Sequence, residues 1–372
     1  KGQGYMWQND YANAKVELAK VINSGKYELW DKTATMGPSS YGTNMQLAKS
    51  QNENWSDGSE EYEYLTLYRA EADFCDEFLL ELDIDGDMTT ITSTEPYWFR
   101  AYMNWRKDEV NLPGNTTTAS DGWGFINPTR TFGYAFAKHD GNSVRRRAAI
   151  ATYSEVYHDF PYLNKDVRGV MSSMLFENEG YFRMKYYDYV DDVVPERFAS
   201  GQTNGNRTNF PLMRYADVLL LYAEAVCMSG EGTANISGLE ALNKVRRRAG
   251  LTDAPALDMD NAEYGIKAER RFELWLEDCS RYVDLIRWGD YKKFITDTSI
   301  DGVSEHWGNE CAWLVGLKDA TKRTTDPTDW SNYEVRYDPL STRGTWSDRF
   351  YLWPFPYAET TQNPNLVQNT GW

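Results

Sequence analysis

The sequence predicts a mainly α-helical fold with few, short strands. Three observations lead there. Apolar residues recur at steps of three and four over residues 10–24 and through most of residues 211–289. Those stretches carry helix-starting and helix-stopping residues at their ends. Strand-like runs are scarce and short, and much of the remaining chain is rich in Gly, Ser, Thr and Asn.

In chain order, Lys1 to Trp30 reads as the second half of a helical hairpin. Asp10 to Ser24 is its helix, with Tyr11, Ala14, Leu18, Val21 and Ile22 on one face and Gly25 as the stop. Met36 to Glu61 is polar and reads as loop. Cys75 to Asp83 holds Phe78, Leu79, Leu80 and Leu82 and reads as a strand. Asp83-Ile84-Asp85-Gly86-Asp87 resembles a calcium loop, but the glutamate such a loop needs at its twelfth position is replaced by Thr94. It reads as a turn, and no structural metal is expected.

Glu95 to Val110 concentrates aromatic residues. Trp98, Tyr102 and Trp105 fall on one face if the segment is helical. Core packing is one reading. A ligand platform is the other, because Pro96, Asn104, Arg106, Lys107, Asp108 and Glu109 surround the rings. The polar stretch Asn111 to Asp121 then leads to Trp123. Aromatic rings stack on the apolar C–H faces of sugars while Asn, Arg and Asp bind hydroxyls. Binding groups also gather on loops carried by a rigid scaffold. The candidate ligand-binding residues are therefore Trp98, Tyr102, Asn104, Trp105, Arg106 and Trp123. Beyond them, Arg145 to Arg147 read as a solvated helix start. Phe160 to Tyr189 is irregular, with short strand-like pieces such as Tyr181 to Tyr187, and Ala199 to Thr208 is a polar loop.

Residues 211–289 organise the rest. A helix is expected to begin after Pro211, with Tyr215, Leu219, Tyr222 and Val226 on one face, Ala216 and Ala223 giving room for close approach, and Asp217 and Glu224 sharing a side. The next has Ser237 as N-cap, Gly250 as stop and the stripe Leu239, Leu242, Val245 and Ala249. Glu269 to Gly289 closes the group, and such helix pairs stack into arrays. Arg214, Asp217, Glu224, Glu269, Arg270, Arg271, Glu273, Arg281, Asp284 and Arg287 are interleaved with Leu, Tyr, Trp and Phe. A solvated charged face is the default expectation. A partly buried Arg–carboxylate network is the alternative and needs bidentate geometry to offset desolvation. Paired catalytic carboxylates fit poorly, since each acid has an Arg near in sequence and stays ionised. After Gly289 the chain reads as loop-rich. Trp307, Trp313, Trp330 and Trp346 are expected to pack over the helices, with binding at the surface as the alternative, and Pro354, Pro356 and Pro364 to keep an extended tail wrapped around them.

Composition narrows the function. The net charge of −17 disfavours nucleic acid and anionic lipid as partners. Cys75, Cys227, Cys279 and Cys311 form no C-x-x-C pair, and Cys227 and Cys279 sit in apolar sequence that suits free thiols. Neither a membrane-length apolar run nor a zinc-protease, hydrolase or phosphate-loop motif is present, and no cofactor is expected.

With these elements placed, the chain resembles the SusD/RagB family of outer-membrane nutrient-binding lipoproteins from Bacteroidetes-type bacteria. The resemblance rests on the Arg214–Glu224 helix, the Ala241–Leu251 helix, the Asp284–Gly289 ending, Gly122 to Gly141, and the closing Tyr351 to Trp372 with its Pro-x-Pro, Glu, Asn-Pro and final Gln-Asn. One departure is Leu276-Glu277-Asp278-Cys279-Ser280, where the family carries a shorter Phe-Glu-Gly. The resemblance implies a single SusD-like domain over 1–372 with tetratricopeptide-like helix pairs. Residues 1–35 would be the remnant of an N-terminal helical region, 36–210 a loop-rich ligand-facing region, 211–295 core helices and 296–372 a wrapping C-terminal segment. It also implies binding of oligosaccharides at the cell surface without catalysis, for uptake through a SusC-like TonB-dependent transporter. The lipid anchor to the outer membrane would lie N-terminal to this chain. A peptide ligand, as in some members, and a purely structural helical scaffold are the alternatives.

Overall fold

The computed structural model describes residues 1–30, 67–68, 72–82, 126–155, 179–186, 209–277, 280–296, 311–338 and 347–372. It is mainly helical, as expected. Helix α1 (Gly2–Trp7) packs on α2 (Tyr11–Asn23), and α2 lies along α5 (Tyr215–Ser229). Asp10 caps α2 by accepting the Asn13 N–H at 3.2 Å, and Ala14, Leu18 and Ile22 are buried as the stripe requires.

Helix α5 is the central strut. It touches α1, α2, α6 (Gly238–Arg248) and α7 (Ile266–Glu273), so it is enclosed almost all round. Val218, Leu219, Leu220, Leu221 and Tyr222 are all buried in succession. Each such side chain contributes roughly 1.5–3 kcal/mol on leaving water. Ser237 caps α6 by accepting the Glu240 N–H at 3.0 Å. The Tyr222 hydroxyl accepts the Thr233 and Ala234 N–H groups, both at 2.8 Å, and so pins the connection between α5 and α6.

One boundary differs from the sequence reading. Helix α5 starts at Tyr215, not after Pro211, because Phe210–Arg214 is a strand, β4. It pairs antiparallel with β1 (Phe78–Leu82), Pro211 opposite Glu81, with register irregularities beside it. A two-stranded ribbon tolerates a proline that a central strand would not. The pairing delivers Arg214, the first residue before the helix, into the interior.

A second core gathers around α3 (Arg130–Asp140), α4 (Val144–Ala149) and the hairpin of β2 (Ile150–Thr152) with β3 (Tyr181–Arg183). Phe136, Ile150, Tyr181 and Phe272 are buried together there. Gly133 of α3 faces the Tyr181 ring so closely that an added Cβ would lie 2.1 Å from it. Past α8 (Ser280–Trp288) come α9 (Tyr291–Thr296) and the hairpin of β5 (Cys311–Leu317) with β6 (Tyr333–Asp338), more regular structure than expected. Trp330 packs edge-on to Tyr181 and Tyr333. The tail carries a 3-10 turn at Asp348–Tyr351 and α10 (Tyr357–Gln362). It meets the helices where Trp353 donates to the Tyr282 hydroxyl at 3.1 Å.

Candidate functional site

Trp98, Tyr102, Asn104, Trp105, Arg106 and Trp123 lie outside the described residues, as does Asp83 to Asp87, expected from sequence to be a turn. Described structure flanks their segment on both sides. Strand β1 precedes it and is fastened to β4. Helix α3 follows it and is capped by the Thr129 hydroxyl, which accepts the Phe132 N–H at 3.3 Å.

Those two anchors share a charge lattice that overturns the default expectation. Arg214, Glu224, Glu269, Arg270, Glu273 and Asp284 are buried, not solvated. So are Arg145 and Arg146, read from sequence as a solvated helix start. The Ser143 hydroxyl does cap that helix, accepting the Arg146 N–H at 3.1 Å, but the helix points its guanidiniums inward.

Arg145 grips Asp140 with two hydrogen bonds, from Nε at 2.8 Å and Nη2 at 2.9 Å. Its Nη1 reaches Glu269 at 2.8 Å, and Glu269 is shared with Arg246. Glu273 takes Arg248 at 2.6 Å and Arg214 at 3.1 Å, with Arg145 at 3.5 Å. Arg214 goes on to Glu77 and to Glu277, where Lys185 also pairs. Among the described residues this cluster balances: Arg145, Lys185, Arg214, Arg246 and Arg248 against Glu77, Asp140, Glu269, Glu273 and Glu277. Leu276, at φ 62, turns the backbone between α7 and α8. The same turn presents Glu277 to Arg214.

A second chain of charges runs beside α5. Arg270 bridges Asp217 at 2.8 Å and Asp284 at 2.7 Å. Arg287 bridges Asp284 at 2.9 Å and Glu224. The Trp288 indole also donates to Glu224 at 3.0 Å.

Electrostatics follow from this arrangement. Burial pushes the Asp140 carboxyl up, but Arg145 and His139 outweigh it and hold it at about 2. Around Glu273, burial is outweighed by Arg248, Arg214 and Arg145, and the carboxyl falls well below the carboxylate range. Glu277 is lowered too, by Arg214 and Lys185 against burial. Burial pulls the Lys185 ammonium down to about 8, although Glu277 opposes it. A general acid needs a proton near neutral pH, and these carboxylates hold none. The lattice is structural.

Room for a ligand lies elsewhere. An open cleft of about 640 Å³ sits where α7, α8 and α9 meet the end of α3 and the turn at residues 259–263. Trp288, Phe294 and Phe272 give it ring surfaces. Lys267 lies 5.4 Å from the Trp288 ring centre, and Arg281 5.4 Å from that of Phe294. The sequence reading placed these residues in packing helices. The available signal was the run Arg281 to Lys293, whose aromatic and cationic residues fall on more than one helix face. A smaller cavity of about 190 Å³ lies over the second charge chain, between α1, β4 and α8. Among the described residues, no group of His, Cys, Asp and Glu could hold a metal ion, and no helix is long and apolar enough to cross a membrane.

Comparison with known proteins gives a match to the SusD family over residues 76–372. A SusD-like protein of Bacteroides ovatus is 28% identical over 164 residues, covering 42% of this chain and 28% of that protein. Surface glycan-binding protein A from Bacteroides fluxus superposes with a TM-score of 0.58 at 22% identity, over 100% of this chain and 61% of that one. Surface glycan-binding protein A from Bacteroides thetaiotaomicron, solved in complex with laminarihexaose, gives 0.56 at 19% identity, over 99% and 62%. The chain thus spans about three fifths of the length of these solved relatives. At such identities the likeness is one of fold.

Proposed function

The chain belongs to the SusD family, and on that premise we propose that it captures an oligosaccharide at a bacterial cell surface without transforming it. The family match carries the reading. Two further features support it. The buried carboxylates of Asp140, Glu273 and Glu277 are held ionised by cations, which leaves them unsuited to glycosidic acid–base work. The segment between β1 and α3 carries Trp98, Tyr102, Trp105 and Trp123 with Asn104 and Arg106, a composition suited to sugar stacking and hydroxyl binding. A related protein has been solved with laminarihexaose bound, so a β-glucan is a sensible first ligand to try.

In this proposal the partner is a SusC-like TonB-dependent barrel in the outer membrane, which receives the captured glycan, and a lipid anchor outside this chain holds the protein at the surface. The decisive experiment incubates the protein with a panel of neutral and charged glycans and follows both affinity and product formation. Binding without new reducing ends is the expected result. Reducing ends formed at enzymatic rates would remove the binding-only reading. Binding confined to peptides would move the protein to a peptide-import role.

A further inference from the structure

We propose that the cavity between α1, β4, α7 and α8 binds one ring of a neutral sugar, as a subsite separate from the aromatic segment between β1 and α3. It rests on the glycan-capture reading and adds a place for a single unit of the ligand. The cavity holds about 190 Å³, less than the roughly 300–1,000 Å³ of pockets for drug-sized molecules. That limits it to a small unit such as one sugar ring. Met6, Trp7, Met213 and Leu221 stand in its apolar walls, and charged groups line its floor. Those charges balance: Arg214, Arg270 and Arg287 face Asp217, Glu277 and Asp284. Each is already engaged, Arg214 with Glu277, Arg270 with Asp217 and Asp284, and Arg287 with Asp284. A floor with no charge to spare favours a neutral ligand, because a net charge brought there loses its hydration without a free counter-ion.

The open hydrogen-bonding positions suit hydroxyls. Arg270 donates from Nε to Asp284 at 2.7 Å and from Nη1 to Asp217 at 2.8 Å. Its Nη2 makes no hydrogen bond among the described residues, although the side chain is only 4% exposed and borders the cavity. A buried polar group without a protein partner is uncommon. Gln3 donates from Nε2 to Asp217 at 3.1 Å, which leaves its Oε1 as an open acceptor. The two Asp217 oxygens receive one bond each, from Arg270 and Gln3, and each keeps a further lone pair. Sugar hydroxyls both donate and accept, so adjacent hydroxyls of one ring match this set of one donor and several acceptors. Gln3 and Trp7 stand four residues apart on α1 and so share a face, and both line the cavity. Trp7 is 50% exposed. A half-exposed indole beside such groups offers the apolar surface on which the C–H face of a sugar ring stacks.

The test labels the methionine methyl groups with carbon-13 and follows Met6 and Met213 by NMR while methyl glycosides of glucose, galactose and mannose are added. At least one glycoside is expected to move both signals to saturation, and its uronic acid counterpart to bind several-fold more weakly. Arg270→Lys keeps the charge but removes Nη2, and should weaken binding by about ten-fold. Because Arg270 also bridges Asp217 and Asp284, Trp7→Ala is the second variant. Trp7 is half-exposed, so the melting temperature should change little while affinity falls about five-fold. Absence of a saturable shift at Met6 and Met213 with all three glycosides, tighter binding of the uronic acid, or unchanged affinity in Trp7→Ala would overturn the proposal. A neutral glucan hexamer titrated into the unmodified protein and into Trp105→Ala reports on the aromatic segment, so failure of the glycan-capture reading and failure of this subsite are seen separately.

Discussion

Glu273 is the sharpest place to perturb this molecule. It is fully buried and accepts from Arg248 at 2.6 Å and Arg214 at 3.1 Å, with Arg145 at 3.5 Å. Glu273→Gln keeps the shape but removes one charge and turns a donor toward guanidiniums that themselves only donate. Breaking a buried pair costs about 3–5 kcal/mol because the partner charge is left uncompensated. Here each arginine keeps another carboxylate: Arg248 keeps Glu77, Arg214 keeps Glu77 and Glu277, and Arg145 keeps Asp140 and Glu269. The loss should therefore sit near the low end, about 3 kcal/mol. At roughly 2 °C or more per kcal/mol for a large domain, the melting temperature should fall by about 6 °C.

The internal control is Glu240→Gln, which breaks the pair with Arg247 where the two side chains are 40% and 46% exposed. That change should cost at most about 1 kcal/mol. Adding Arg248→Gln to Glu273→Gln should cost less than the sum of the two singles, by about 1 kcal/mol or more, since charge balance is partly restored. Urea and thermal melts followed by circular dichroism measure all four. If Glu273→Gln were as mild as Glu240→Gln, the carboxylate would be solvated and the buried-lattice account would be wrong.

Four further outcomes are expected. Asp140, held at about 2 against an ordinary 3.8, should contribute roughly 2 kcal/mol at neutral pH. The unfolded chain binds the extra proton, so this stability is lost as pH falls from about 4 to about 2, and Asp140→Asn should flatten the acid limb of a stability–pH curve in that window. Gly133→Ala gains about 1 kcal/mol of helix propensity but drives a methyl to 2.1 Å from Tyr181. Its net effect in a thermal melt should be destabilising, with overpacking costing about 1–3 kcal/mol or more. Burial pushes the Cys75 thiol up to about 12, so peptide mapping after brief alkylation at pH 8 should find it unmodified while the protein is folded. Trp105→Ala should weaken glycan binding about five-fold or more with little change in melting temperature, given aromatic contacts of about 1 kcal/mol. Loss of about 3–5 kcal/mol of stability instead would make Trp105 a core residue.

Local rules explain why some elements were legible in the sequence and others were not. Helices α2 and α6 are half-exposed, so their stripes, the Ser237 cap and the Gly25 and Gly250 stops all speak in the sequence itself. Helix α5 was placed correctly in its middle, yet its start was missed. The competing strand partner, Phe78–Leu82, lies far away in sequence, and no local signal reports it. The buried arginines were misread for the same reason. Arg145 meets Glu269 and Glu273 at separations of 124 and 128 residues, so a window around Arg145 to Arg147 sees three cations with nothing to neutralise them. The charges interleaved with Leu, Tyr, Trp and Phe over 211–289 did offer a buried Arg–carboxylate network as the alternative reading, but nothing local added Arg145 and Arg146 to it.

The candidate aromatic site was chosen for the opposite property, an excess of Trp and Tyr in polar surroundings, and it hangs between two pieces of this lattice. Glu77 adjoins β1 at one end of the segment, and Asp140 ends α3 beyond the other. Each is tied by arginine to carboxylates of the α7–α8 region or to the arginines that serve them. An isolated buried ion is far costlier than a paired one, so the lattice is favourable only when β1, α3, α4, β4, α6 and α7 are all docked. That makes it a device for fixing where distant segments sit, beyond what apolar stripes alone specify. Loops that recognise a ligand need such fixed ends, because their own polar sequence supplies little packing. In this protein the charges that look like chemistry in the sequence hold the frame, and recognition by the aromatic residues between β1 and α3 is the proposal that the Trp105→Ala measurement decides.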